Sequence, residues 1–393
     1  MTQLRDAVYV DGARVPIGRA RPDGYYANTR ADDLAVRVIR ALLDRNPQLA
    51  PHQVDDNVWA ATTQIGDQGL TIGRTTAILS GLPKSVPGYA VDRMCAGALT
   101  TITNAANAIR VGAQDVVIAG GVEHMGRHPM GEQADPNPRF LAEGLVDGEA
   151  LVMGNTAENL HDHLPEITKE RADAYAVQSQ ERVAKAASDG VFDSHVVRMS
   201  AWSDAHGWRV VTEDEHPRPG TTIEDLQGLR TPFRPGGRVT AGNAAGLNDG
   251  AGAALLASAE TADELGLPST MRLVDYAFVG VEPETMGWGP VPATEALLDK
   301  TGLSIDDIDV VEMNEAFAVQ CVAFLDHFDL PLDSERVNPY GGAIALGHPL
   351  AMSGARLTAQ LAHYLQTHPD ARYGITTLCI GLGMGCAVLW ERR

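Results

Sequence analysis

The chain is poor in cysteine and in positive charge, and each shortage excludes a class of protein. Four cysteines among 393 residues do not form a paired framework, so free thiols in a reducing compartment explain them better than disulfides. The 31 lysines and arginines are outnumbered by 51 aspartates and glutamates, which gives a formal net charge of -20. This balance argues against general binding to nucleic acid or anionic membranes, and a phosphate-bearing ligand would need a local basic patch.

Long apolar runs are also missing, so no segment of the sequence is expected to span a bilayer. Residues 1–10 lead directly into a strand-like segment and contain no basic-then-apolar leader, and a cytoplasmic location is therefore expected. With 44% hydrophobic residues, a chain of this length can bury large cores and should form two or three domains.

The two halves of the chain repeat one plan. Ala-Leu-Leu-Asp occurs at residues 41–44 and again at 296–299, and an acidic turn with an apolar segment follows at 54–58 and at 305–309. Each copy is typical of a helix, a turn and a strand. Repeated strand-helix units of this kind predict parallel-rich sheets covered by helices, with functional residues at the ends of strands.

Cys95 and His348 open helices at matching places in the two halves. Apolar residues follow each of them at helical spacing, and the helices lead to predicted strands at 115–119 and 374–378. Two such sheets packed back to back would bring the helix starts together. Cys379 follows the second strand, so the chain offers a nucleophile, a base and a further thiol. This combination suits acyl transfer through a thioester, because the thiolate is the reactive form of cysteine.

A stretch of different texture separates the halves. It contains a polar, proline-rich loop, an alanine-rich amphipathic helix at about 171–187 and a charged segment at 203–229 that is expected to be irregular. An insertion of this kind could form a lid. The small residues at 240–250 close it and leave the backbone open to close approach by a ligand.

Four motifs carry a resemblance to a known family. The segments at 120–125, 314–318, 341–349 and 379–383 resemble the thiolases in family order, and most closely the 3-ketoacyl-CoA thiolases of fatty-acid β-oxidation. The resemblance implies an α/β fold of duplicated βαβαβαββ halves in a five-layer α-β-α-β-α core with an inserted α-rich loop domain. The implied domains are an N-terminal half at 1–121 completed by about 242–270, an inserted CoA-binding loop domain at 122–241, and a C-terminal half at 271–393.

The resemblance also implies a mechanism. Cys95 gives its proton to His348, attacks a 3-ketoacyl-CoA and forms an acyl-enzyme, and Cys379 protonates the acetyl-CoA enolate that leaves. A second CoA then releases the shortened acyl-CoA, which makes the reaction ping-pong. One oxyanion is held by His348 with a water on Asn314, and the other by backbone N–H groups of Cys95 and Gly381. Such donors contribute roughly 3 kcal/mol each.

CoA is the implied co-substrate, and no permanently bound cofactor is expected. Arg230, Arg234 and Arg238 cluster beside the glycine-rich loop at 240–250, which is predicted to cover pantetheine, and are themselves predicted to hold the CoA phosphates. The expected substrate and CoA contacts are Met153, Arg230, Phe233, Ala245, Gly246 and Phe317. A homodimer or homotetramer is expected, and association with a β-oxidation multienzyme subunit is compatible with the resemblance.

Other residues have ordinary explanations. Cys321 and Cys386 are interpreted as small buried hydrophobic residues. Histidine pairs at 124 with 128 and at 161 with 163 lack third and fourth ligands at convincing spacing, so no metal is expected.

The sequence departs from the thiolase pattern at three places. Asp92 replaces the usual asparagine of the nucleophile motif, and Ala245 replaces a serine that commonly contacts pantetheine. Val152 stands where many biosynthetic acetoacetyl-CoA thiolases have histidine, which favours degradation of longer acyl chains. A biosynthetic acetoacetyl-CoA thiolase remains the alternative.

Two other classes share the predicted fold. A decarboxylating ketosynthase would need a second histidine or a lone asparagine in its other motif and would not need Cys379. A non-catalytic acyl-CoA-binding protein would be expected to lose at least one of Cys95, His348 and Cys379. All three are present.

Overall fold

The computed structural model describes residues 4–393. The first stretch contains β1 (Ala7–Arg14), β2 (Gly18–Arg19), α1 (Ala31–Arg45), β3 (Asp56–Ala60), α2 (Ile72–Ser80), β4 (Gly88–Val91), α3 (Gly97–Arg110) and β5 (Val116–His124). The middle stretch contains α4 (Arg139–Ala142), α5 (Met153–His163), α6 (Lys169–Ser188), β6 (Met199–Ser203), β7 (Gly207–Val211) and α7 (Ile223–Gln227). The last contains β8 (Asn248–Ser258), α8 (Ala259–Leu265), β9 (Met271–Gly280), α9 (Pro290–Thr301), β10 (Val310–Met313), α10 (Ala318–His327), α11 (Ala343–Leu346), α12 (Ser353–Thr367), β11 (Tyr373–Ile380) and β12 (Met384–Arg392).

The repeat visible in the sequence is also present in the strand order. The first half runs β1-β8-β5-β3-β4 and the second runs β9-β12-β11-β10. Inner pairs β3–β5 and β10–β11 are parallel, whereas the strands that complete each half pair in antiparallel fashion. The counterpart of β4 is reduced to a bridge between Val311 and Val337. Both halves therefore follow the expected βαβαβαββ plan.

The five expected layers are confirmed by which side chains pack together. In β5, Val116 and Ile118 face a core shared with α1, while the alternate residues Val117 and Ala119 face a core shared with α3 and α12. In the second half, residues of β11 and β12 face this same central core on one side and a core with α9 and α10 on the other. Strand alternation thus places α3 and α12 between the two halves of the sheet.

The expectation of two separate sheets was wrong. All ten strands of the core form one sheet, because β1 pairs with β9 through Val8 with Arg272 and Tyr9 with Met271. Each half begins with a strand whose outer edge would otherwise carry unpaired backbone groups, and this pairing satisfies some of them.

The segment between β5 and β8 packs on both halves. Helices α5 and α6 share the core of α9 and α10, and the β6–β7 hairpin packs against the core of α1. The expected irregular segment at 203–229 contains β7 and α7 instead. The sequence of β7 does not alternate between apolar and polar residues, because its exposed residues Trp208 and Val210 are also apolar. The strand therefore could not be predicted from such a pattern.

The two ends of the large sheet differ. Strand β4 pairs with β3, and its four residues are only partly buried or exposed. At the other end, the outer edge of β10 is covered: Val311 N donates to Arg336 O at 2.7 Å, and Asn338 N donates to Val311 O at 2.9 Å. Across residues 4–393, no helix is long and apolar enough to cross a membrane.

Candidate active site

Cys95 lies in a 3-10 turn, Met94–Ala96, that leads from β4 into α3. The sequence predicted that this cysteine opens the helix itself, but α3 begins two residues later. Met94 has a φ of 45°, a conformation that costs energy for a residue with a side chain. Asp92 Oδ1 accepts a hydrogen bond from Met94 N at 2.7 Å and so stabilises the turn. The departure from asparagine at position 92 therefore keeps an acceptor where the turn needs one.

His348 occupies the matching place in the second half. It follows Gly347, whose φ is 103°, and precedes a 3-10 turn, Leu350–Met352, that leads into α12. Its backbone N donates to Asn248 Oδ1 at 3.0 Å, which ties it to the strand β8 of the first half.

The turn that carries Cys95 contacts the turn that directly follows His348 and Pro349. At Gly97 the approach is so close that an added Cβ would lie 2.6 Å from Ala60 Cβ and 2.8 Å from Ala351 Cβ. The chain repeat thus brings the predicted nucleophile and the predicted base to one place at the centre of the molecule.

Cys379 joins this place from the end of β11. Its Sγ donates to Gln320 Oε1 at 3.2 Å, and Gln320 Nε2 donates to Asn314 O at 2.8 Å. Burial raises the pKa of the Cys379 thiol, and the neighbouring Cys95 raises it further. The two thiols are therefore close enough to sense each other's charge, while Gln320 gives Cys379 a fixed orientation that sequence analysis did not foresee.

The ring of His348 contacts two polar side chains. Its Nε2 lies 3.4 Å from Asn314 Nδ2, and its Nδ1 lies 2.6 Å from Ser353 Oγ. An amide NH₂ group can only donate, so Nε2 is the acceptor and Nδ1 carries the proton in this arrangement. The lone pair on Nε2 is the one able to accept a proton from a thiol. Ser353, the first residue of α12, is a partner that the sequence motifs did not reveal.

Both reacting groups are neutral before substrate arrives. Burial raises the pKa of the Cys95 thiol to about 12, with backbone N–H groups of Gly381 and Cys95 opposing the shift and the carboxylates of Glu123 and Asp92 adding to it. Burial also lowers the pKa of His348 to about 3, and the positive charge of Arg356 acts in the same direction. At pH 7 the Cys95 sulfur therefore keeps its proton while Nε2 of the neutral His348 ring carries none, so the thiol proton can move to Nε2 as the sulfur attacks.

Met153 and Gly381 lie beside the turn that carries Cys95, and Phe233 lies against α5 one residue after Met153. A Cβ built on Gly381 would lie 2.7 Å from Met94 Sδ and 3.6 Å from Met153 Sδ, so both thioethers border the Gly381 backbone. Phe233 lies with its ring against Gly154, where a Cβ would be 2.4 Å away. Met153 is thus brought next to a predicted oxyanion donor, and Phe233 lies one helix residue further out.

Ala245 and Gly246 lie between two other segments. Ala245 N donates to Ala316 O at 2.9 Å, and Ala244 forms a bridge with Phe317. On the other side, a Cβ on Gly246 would lie 2.3 Å from His216 Cε1. The loop that was predicted to cover pantetheine is therefore fixed against the Asn314 motif through its main chain.

Two of the three arginines predicted to hold the CoA phosphates form ion pairs within the chain. Arg234 and Arg238 both pair with Asp162, and the backbone N of Arg238 donates to Glu158. These carboxylates offset much of their charge. Arg230 has no ion-pair partner in the part of the chain that the structure describes.

A second basic group lies beside the same loop. A cavity of about 190 Å³ is lined by His216, Arg218, Leu226 and Gly242, among others. The pKa of His216 is lowered to about 4, mainly by burial and further by the positive charges of Arg218, Arg19 and Arg21. The sequence did not indicate this group, because Arg19 and Arg21 are far from Arg218 along the chain.

Comparison with known proteins identifies the family of this chain. Residues 7–260 match the family Thiolase, N-terminal domain, and residues 267–392 match Thiolase, C-terminal domain. The chain belongs to the thiolase family. Thiolases of this type are acyltransferases, and so is this enzyme.

Named relatives span the whole of this thiolase. It is 43% identical over 408 residues to a 3-oxoadipyl-CoA/3-oxo-5,6-dehydrosuberyl-CoA thiolase of Escherichia coli K12, covering 99% of this chain and 100% of the relative. It is also 43% identical to a 3-ketoacyl-CoA thiolase of Saccharophagus degradans, covering 99% of each. Among solved structures, human mitochondrial 3-ketoacyl-CoA thiolase and Bacillus anthracis acetyl-CoA acetyltransferase each superpose with a TM-score of 0.89, at 35% and 37% identity, over 100% of both chains.

Proposed function

We propose that this thiolase cleaves a 3-ketoacyl-CoA with CoA, through an acyl group carried on Cys95. The observation that carries the proposal is the meeting of two buried thiols with a histidine whose Nε2 is unprotonated. A single thiol would suffice to hold an acyl group, but cleavage of a carbon–carbon bond also needs a proton donor for the carbon that leaves. Cys379 supplies this second function.

Each proton that moves in the reaction has a donor and an acceptor among Cys95, His348, Cys379 and the two CoA substrates. The Cys95 proton moves to His348 Nε2 as sulfur attacks the 3-keto carbon, and the bond between C2 and C3 then breaks. Its electron pair forms the enolate of acetyl-CoA, which takes the proton of Cys379. His348 then passes the proton it took from Cys95 to the Cys379 thiolate, which restores both groups. In the second half-reaction the thiol of CoA gives its proton to His348, its sulfur attacks the acyl group, and Cys95 leaves as a thiolate that takes this proton back from His348.

Charge develops on oxygen twice. The backbone N–H groups of Gly381 and Cys95, which already oppose the raised pKa of the Cys95 thiol, are suited to bind the oxygen of the acyl group. His348, together with a water on Asn314, is suited to the thioester oxygen of the leaving enolate. Fixed donors in a buried site stabilise such charge without having to reorganise.

CoA is proposed to lie on the segment between β5 and β8, with its thiol end at Cys95. Ala245, Gly246 and Phe317 would border pantetheine, and Arg230 would contact the phosphates. The basic group around Arg218 is a further candidate for these phosphates, because its cavity adjoins Gly242 of the same loop.

The acyl substrate is proposed to be a 3-ketoacyl-CoA longer than acetoacetyl-CoA, with degradation as the direction. Val152 in place of histidine supports this, and the Saccharophagus degradans relative carries the corresponding name. A 3-oxoadipyl-CoA substrate is the second candidate, supported by 43% identity to the Escherichia coli enzyme named for it. A homo-oligomer in the cytoplasm is the proposed setting.

The test is thiolysis by the purified protein over acetoacetyl-CoA, a series of straight-chain 3-ketoacyl-CoAs and 3-oxoadipyl-CoA. We expect kcat/KM to be lowest for acetoacetyl-CoA. Mass spectrometry should find the acyl group on Cys95 when CoA is withheld. The Cys95→Ser variant should show neither thiolysis nor this acyl group. Equal or better activity on acetoacetyl-CoA would reject the degradative assignment, and an acyl group on another residue would reject the mechanism.

A further inference from the structure

Arg356 is a fully buried arginine in α12 to which the mechanism above assigns no role. One guanidinium nitrogen donates to Gln360 Oε1 at 2.7 Å, and the other terminal nitrogen donates to Asn314 Oδ1 at 3.3 Å. Its Nε has no partner among the atoms described for residues 4–393. Asn314 is therefore the one active-site residue to which Arg356 donates a hydrogen bond, and the charge of Arg356 also helps to lower the pKa of His348.

The contacts of Arg356 are unusual for a buried cation. Arginine is almost never fully buried unless it is paired, yet both of its hydrogen bonds end on amide oxygens. Glu312, two residues before Asn314 on β10, is the strongest source of compensating negative charge. Neither carboxyl oxygen of Glu312 is hydrogen-bonded in the described part of the chain. Burial raises the pKa of Glu312 and lowers that of Arg356, and the charge of each group opposes the shift of the other.

A guanidinium orients an amide because it can only donate hydrogen bonds. The oxygen of the Asn314 side chain must face Arg356, so the NH₂ group of the same side chain must face His348 Nε2. That NH₂ group is a donor, and the ring nitrogen opposite it must then be an acceptor. The proton of the neutral ring is left on Nδ1, where Ser353 Oγ lies 2.6 Å away.

We propose that Arg356 is a positioning residue that holds the Asn314 amide in one orientation and thereby selects the His348 tautomer that can accept the thiol proton. The proposal rests on the proposed function, since this tautomer matters only if His348 acts as a base. An Asn314 amide turned by half a rotation would present its oxygen to Nε2 and favour a proton there, which would leave the base without its lone pair.

A double-mutant cycle tests this coupling. Arg356→Met keeps an unbranched side chain and removes every donor, and Asn314→Ala removes the group that Arg356 is proposed to orient. We expect Arg356→Met alone to lower kcat by about 10- to 100-fold, the usual effect of losing a partner that orients a reacting group. The KM for CoA should stay within about 2-fold, because Arg356 makes no contact that binds CoA equally in the ground state and the transition state. In the Asn314→Ala background, Arg356→Met should change kcat by less than about 3-fold.

Arg336→Met is the matched control. Arg336 is a partly buried arginine whose guanidinium donates to the carbonyls of Ile305 and Ile308, and among the described residues it makes no hydrogen bond to Asn314. Its effect on kcat should be small and equal in both backgrounds. If Arg356→Met does not fold, Arg356→Lys serves instead: lysine keeps the charge but lacks the planar fork, and kcat should still fall while the KM for CoA stays unchanged.

The outcomes separate this proposal from the proposed function. Full additivity of Arg356→Met with Asn314→Ala, or an unchanged kcat in Arg356→Met, would overturn the positioning role while leaving the thiolase reaction in place. Absence of thiolysis in the unmodified protein would instead reject the proposed function. Coupling confined to the Arg356 and Asn314 pair would support the proposal.

Discussion

A single methyl group at position 97 should separate the two reacting residues. Gly97 begins α3 with φ and ψ of -49° and -58°, so alanine is compatible with the backbone there. The obstacle is the space around it. The new Cβ would lie 2.6 Å from Ala60 Cβ and 2.8 Å from Ala351 Cβ, and non-bonded carbon atoms rest at about 3.5 to 4.0 Å.

The neighbours of Gly97 must therefore retreat by about 1 Å. Ala351 cannot do so freely, because its backbone oxygen is only 2.1 Å from where a Cβ on Gly121 would be, and its N donates to the buried Glu123. Since Ala351 lies three residues after His348, the strain should move the turn that carries the base. A displacement of about 1 Å costs roughly 100-fold in rate, and such overpacking lowers the free energy of unfolding by about 1 to 3 kcal/mol.

The assay is thiolysis of a 3-ketoacyl-CoA together with the thermal midpoint of unfolding. We expect Gly97→Ala to remain folded and to lose about 100-fold in kcat/KM. Gly280→Ala is the control, because a Cβ at Gly280 meets no atom within 4 Å, and it should behave like the unmodified protein. If Gly97→Ala were as active as Gly280→Ala, contact between the two turns would not control their chemistry.

Three further predictions concern single side chains. Because the pKa of the Cys95 thiol is raised to about 12, its thiolate fraction rises with pH, and alkylation by iodoacetamide should accelerate about tenfold per unit from pH 7 to pH 10; acyl-CoA should protect it, and faster labelling of Cys321 or Cys386 would contradict the assignment. Cys379→Ala should still be acylated by a simple acyl-CoA but should stop exchanging the α-protons of acetyl-CoA, and normal exchange would refute the division of roles. Arg230→Gln should raise the KM for CoA and weaken its salt dependence with kcat unchanged, whereas a fall in kcat alone would place the phosphates elsewhere.

Local pattern was enough to predict most of the elements that hold the site. The repeated Ala-Leu-Leu-Asp segments end α1 and lie within α9, and the helix predicted at 171–187 is α6, Lys169–Ser188. These segments are read from nearest neighbours along the chain, where apolar spacing reflects the face that each element buries. The repeat also predicted that Cys95 and His348 would meet, because matching positions in two like halves face each other when the halves pack together.

Contacts between residues far apart along the chain could not be predicted from the sequence. Pairing of β1 with β9 depends on which edges come together only after both halves fold. Asp162 lies within α5 and gives no local sign that it binds Arg234 and Arg238. The same holds for Arg19, whose charge lowers the pKa of His216 although the two residues are 197 positions apart along the chain.

The two unlike ends of the large sheet limit how copies of the chain could grow into an assembly. One edge, at β4, pairs only with β3 among residues 4–393, whereas the far edge at β10 is already covered by residues 336–338. A sheet with only one open edge strand can pair with only one other sheet. Pairing of β4 with β4 across a two-fold axis would consume both open edges at once. Addition through this sheet would therefore stop at two subunits and could not continue into a fibre, which is the hazard of sheets with two open edges.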